Sequence, residues 1–131
     1  MKHNLMLTIA SLLSLLFLTF HLAGDIVYGY EPGGLSNLVI FVLVSVVWLY
    51  GVLLLSERRS GQIIMLLGGV VAMFVPYVHM KGKGVGQASR LVGSSGHLFF
   101  VWTLLAIGVL GLFSVILAAR GLWNPQWGQS K

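Results

Sequence analysis

Four long apolar runs divide the chain. Residues 5–28, 35–56, 60–80 and 97–119 are almost continuously hydrophobic. Each can cross the roughly 30 Å hydrocarbon layer of a bilayer, which takes about 20 helical residues. Breakers lie between them. Gly29–Gly34 (GYEPGG) is a turn built on Pro32 and three glycines. Ser56–Gly61 (SERRSG) is a short charged helix–helix connection. Residues 81–96 form a Gly- and Ser-rich loop, and residues 120–131 a polar tail containing Pro125. The runs are too long and too evenly apolar for the alternating strands of a membrane β-barrel. The pattern predicts an all-α membrane protein, a single four-helix transmembrane bundle over residues 1–131 with both termini on the same side.

Composition sharpens this reading. The 131 residues are 57% hydrophobic and 8% charged, against about 25% charged in a soluble domain. So few charges cannot coat a water-facing surface, which excludes a soluble enzyme and a disordered tail. The net charge is +5, but the eight Lys and Arg are scattered singly or in pairs. They do not make the basic face of a nucleic-acid binder. The absence of Cys excludes disulfides and thiolate chemistry. The lipid bilayer is the expected partner, with other membrane subunits or a homo-oligomer beside it and no nucleic acid.

Orientation follows from flanking Lys and Arg. Lys2, Arg58, Arg59, Arg120 and Lys131 share one side, and Lys81, Lys83 and Arg90 the other. Five against three favours termini in the cytoplasm. The start of the chain, Lys2-His3-Asn4 before a Leu-rich run, also has the look of a secretory signal peptide. That run is long for one. A cut after Ala23 would put His21 third before it, a poor fit; if cleavage happened, three spans would remain. Gly61, Gly68 and Ala72 on the third span, and Gly108 and Gly111 on the fourth, form small-residue stripes suited to helix seams. Ser114 and Ala118 lie on a neighbouring face. Pro76 predicts a kink in the third span.

The candidate chemistry lies in four ionisable residues at the span ends. His21 and Asp25 are one turn apart near the end of the first span, His79 closes the third and His97 opens the fourth. Following the chain back and forth brings all four to one membrane face. The stripes turn both His79 and His97 inward. Three imidazoles and a carboxylate suit a divalent metal such as Zn, Cu or Fe, and paired histidines suit haem. A structural reading competes: His97 caps a helix, His79 sits at the interface, and His21 bonds Ser14 or Asp25. The loop at 81–96 is read as a flexible connector rather than an anion cradle, since it lacks the order of a P-loop.

The stretches HLAGDIVYGYEPGGLSN (21–37), WLYGVLLLSERRSGQIIMLLGG (48–69), FFVWTLLAIG (99–108) and FSVILAARGLW (113–123) resemble a group of small bacterial proteins with four predicted transmembrane helices. The resemblance implies a bacterial inner-membrane setting and no catalytic residue. Three functions follow. The leading one is a non-enzymatic accessory or structural bundle. The second is a metal- or haem-binding protein with its site at His21, Asp25, His79 and His97, at the outer mouth. The third is a small oligomeric proton-coupled transporter or channel with His21 and Asp25 in the path.

Overall fold

The computed structural model describes residues 2–30, 34–81 and 93–124. The chain is an all-α transmembrane bundle of four helices: α1 (Lys2–Val27), α2 (Gly34–Leu54), α3 (Arg59–Lys81) and α4 (Ser95–Trp123). Each is long and apolar enough to cross a bilayer. The loop expected at 81–96 lies mostly outside the described residues. Helix α4 runs to Trp123, four residues beyond the apolar span, because nothing breaks it before Asn124. Arg120 in its last turn complements the negative end of the helix dipole. Asn124 precedes a proline, which disfavours helical backbone at that position.

Packing is uneven, and the reason is written on the helix faces. Along α1 the residues Asn4, Leu7, Ser11, Ser14, Leu18, His21 and Asp25 are all buried. Their spacing alternates three and four, so they form one stripe. Helix α4 buries a matching stripe of Gly96, Phe100, Thr103, Ile107, Gly111, Ser114, Ala118 and Gly121. Helix α3 buries Gly61, Gln62, Met65, Gly68, Gly69 and Ala72. These three helices make the core. Helix α2 lies outside it, burying only Trp48, Gly51 and Val52. It is apolar on nearly every face, and lipid solvates such a surface as well as protein does.

The seams are tight where the small residues lie. A Cβ on Gly111 would stand 2.7 Å from Met73 N and 2.9 Å from the Gly69 carbonyl, so α3 and α4 cross backbone to backbone. Gly108 makes room for the ring of Pro76, whose Cγ would be 3.0 Å from a Cβ there. The indole of Trp48 lies flat on Gly68, joining α2 to α3. In the α2–α3 turn, Gly61 lies directly against the Leu55 carbonyl.

Gly111→Ala should therefore cost about 1–3 kcal/mol, the usual penalty of overpacking a close seam. Gly24→Ala, whose new Cβ meets Phe99 at an ordinary 3.5 Å, should change stability by no more than about 0.5 kcal/mol. Reversible unfolding of both variants in mixed micelles checks the contrast.

Candidate metal centre

The end of α1 is shaped by Gly29. Its φ of 70° is left-handed, a region open to glycine at little cost. Gly29 N–H donates to the Ile26 carbonyl at 3.1 Å, and Tyr30 N–H to the Asp25 carbonyl at 2.7 Å. This is a Schellman closure. It folds Tyr30 back beside the last turn of α1, where its ring meets Phe100 edge-on at 6.1 Å and stacks with Tyr28 at 5.9 Å.

Beneath these rings lie His21, Asp25 and His79. His21 Nε2 and His79 Nε2 are 3.2 Å apart. Asp25 Oδ2 is 3.4 Å from His79 Nε2 and 3.7 Å from His21 Nε2. His21 and Asp25 are buried and His79 is half-buried. Phe100 covers both imidazoles, with ring centroids 5.0 Å from His21 and 5.9 Å from His79. Asp25 Oδ1 is buried and has no hydrogen-bond partner among the described residues.

The outer nitrogens each have a partner. Thr103 Oγ1 lies 2.9 Å from His21 Nδ1 and 2.9 and 3.0 Å from the Phe99 and Phe100 carbonyls, and its single rotatable proton can serve either the imidazole or a carbonyl. His79 Nδ1–H donates to the Val75 carbonyl at 2.9 Å. A neutral imidazole has one N–H, so neutral His79 turns the lone pair of its Nε2 toward His21 and Asp25. A proton on His21 Nε2 or a cation among the three atoms satisfies that arrangement. Backbone or hydroxyl support of the distal ring N–H is also how metal-bound histidines are held.

The spacing fits one small ion. Ligands 2.0–2.1 Å from a tetrahedral centre stand about 3.3–3.4 Å apart, whereas neighbours around an octahedral ion stand about 3.0 Å apart. The three separations of 3.2, 3.4 and 3.7 Å bracket the tetrahedral edge. Haem does not fit. Axial nitrogens on opposite sides of one iron stand about 4 Å apart with a macrocycle between them. The two imidazoles meet edge to face with centroids 4.7 Å apart, leaving no slot for that ring.

His97 is not brought into this group, whose ligand atoms all lie within 4.8 Å of one another. Two offsets separate it. Thr103 is the α4 residue level with His21, and His97 lies six residues before it, about 9 Å along the axis. His97 also sits roughly 80° around the helix from the centre of the buried face. It occupies the first turn of α4, where its backbone N–H reaches the Ser94 side chain at 3.4 Å. Of the stripe on which its inward direction rests, Gly111 faces Gly69 and Ala72 in the seam and Gly108 faces Pro76. Ser14 does not pair with His21; its hydroxyl donates to the Ala10 carbonyl at 2.8 Å.

Thr103 and Phe100 were not apparent from the sequence, which draws attention to ionisable side chains alone. Thr103 does fall in a three-four series with Ile107, Gly111 and Ser114, and that series marks it as core-facing. No protein-family model, curated protein or solved structure matches the chain, so no family or homologue assigns it to a particular group or organism. Thr103→Val should release the His21 tautomer. Ring ¹⁵N NMR would then report a changed tautomer population at His21, with His79 unchanged.

Proposed function

We propose that this protein binds a divalent transition metal within the membrane, with His21 Nε2, His79 Nε2 and the Asp25 carboxylate as ligands. The observation that carries the reading is the convergence of two imidazole Nε2 atoms and a carboxylate oxygen at tetrahedral spacing, each imidazole hydrogen-bonded from behind. Two neutral nitrogens and one carboxylate oxygen are a zinc-type donor set, and copper or iron also accept imidazole. Three protein ligands leave a fourth position open. Asp25 Oδ1, which has no hydrogen-bond partner among the described residues, adds a second oxygen on the same carboxylate.

The role is one of binding rather than catalysis. The ion clamps α1 to α3 at the end of the bundle or passes through on its way across. The setting we infer is a bacterial inner membrane, from the helical spans and the resemblance of four stretches of sequence. The Lys and Arg bias puts the start of α1 in the cytoplasm, so the site opens to the outside. A purely structural bundle is the competing reading, and the same titration separates them.

Zinc titrated into detergent-purified protein should bind at one equivalent per chain. His21→Ala, His79→Ala and Asp25→Ala should each weaken binding by more than the roughly 10–100-fold that loss of a supporting hydrogen bond costs, while His97→Ala leaves it unchanged. Calorimetry and elemental analysis read this directly. A protein that takes up neither zinc, copper nor iron would leave the structural bundle as its function.

A further inference from the structure

Helix α2 ends at Leu54 and α3 begins at Arg59, so a short turn joins them. The two helices touch where Gly51 meets Ile64 and where Trp48 lies on Gly68. Beside that line of contact they leave a groove of about 300 Å³. Trp48 and Gly68, both buried, make its floor. Leu43 and Val47 from α2 face Leu67 and Val71 from α3 across it as exposed walls. No charged residue lines it.

Size and depth select the occupant. On α3 the groove runs from Ile64 to Val71, five and twelve residues after Arg59, which is about 8 to 18 Å along the axis. One leaflet's hydrocarbon is about 15 Å deep, so the groove follows the leaflet nearest the turn. Spread over that length of about 10 Å, its volume gives a cross-section of about 30 Å². A helix with its side chains is 10–12 Å across, or about 80–110 Å². The groove therefore seats one hydrocarbon chain, and the helix of a second copy is too thick for it. Charge marks the groove's upper end. Ser60 continues the stripe of Ile64, Leu67 and Val71 at helical spacing, which sets it at the groove's mouth. Arg58 and Arg59 immediately precede it, all three are exposed, and among the described residues neither arginine has a salt bridge. Glu57 is the one acid in the turn, so the two arginines leave it net positive. The start of α3 adds the positive end of its dipole. Guanidinium groups of this kind pair with phosphate through two parallel hydrogen bonds.

We infer that the groove and the turn together bind one anionic phospholipid, its phosphate on Arg58, Arg59 and Ser60 and one acyl chain along Trp48 and Gly68. A zwitterionic lipid offers the same chain but brings its own cation to the arginines, so headgroup charge decides the selectivity. The bound chain fills the gap between α2 and α3 and holds the peripheral helix to the core. The site lies at the opposite end of α3 from the histidine cluster, and it does not depend on whether that cluster holds a metal.

Trp48 on the groove floor is the reporter. Trp102→Phe, Trp123→Phe and Trp127→Phe leave it as the sole tryptophan. In phosphatidylcholine liposomes, a minor fraction of either phosphatidylglycerol or phosphatidylcholine is brominated midway along its acyl chains, and quenching of Trp48 fluorescence is read. Phosphatidylglycerol should be favoured at Trp48 by about fivefold or more, the return on one uncompensated arginine beside anionic lipid. Arg58→Gln combined with Arg59→Gln should bring that ratio to one or below. Equal quenching by the two lipids would overturn the headgroup site, and the absence of quenching by either would overturn the chain in the groove. If the single-tryptophan variant fails to fold, native mass spectrometry of the unsubstituted protein, released from equal amounts of the two lipids, decides. One phosphatidylglycerol should stay on each chain and be lost from the double arginine variant, and retention without preference would overturn the inference. Both readouts are taken without zinc, so their outcome is separate from that of the metal titration.

Discussion

Lipid cannot hydrogen-bond, and α1 carries five polar side chains on one stripe, Asn4, Ser11, Ser14, His21 and Asp25. Hiding that stripe from hydrocarbon dictates where α1 sits. It lies against α3 and α4, whose own buried faces are built from Gln62, Gly69, Gly111, Ser114 and Thr103. The small residues let backbones approach, as at Gly69 and Gly111, and dispersion rather than the hydrophobic effect is the return on that contact. Helix α2 has no polar stripe to hide and is left at the edge, held by Trp48 over Gly68.

The histidine cluster is the extreme case of the same constraint. Asp25 and His21 come from α1, His79 from α3, and the hydroxyl that orients His21 from α4. Each helix of the core contributes, α1 with two side chains and the other two with one each, so the site exists only when all three are docked. The Val75 carbonyl and Thr103 hydroxyl sit behind the rings and hold both Nε2 atoms toward Asp25. That arrangement could coordinate a cation. Because its ligands are spread over separate helices, an ion bound there ties its binding free energy to docking of the bundle. The Schellman closure at Gly29 and the Phe100–Tyr30 contact then cover the open end.

The sequence alone led to the reading of four spans, the breakers between them, and His21, Asp25, His79 and His97 at one end of the bundle, of which the structure groups the first three. Those properties depend on length, hydropathy and the direction of travel, which are local and additive along the chain. Tertiary structure decided the rest. It excluded His97 from the cluster, because α4 extends past the level of the cluster and the depth at which one helix meets another is set by packing. It brought in Thr103, whose importance comes from the partner opposite it and not from its own charge. It also showed that α2 stands apart and that Gly111 meets Gly69 and Ala72, since the register between helices is fixed by which small residues meet, a relation that no single helix contains.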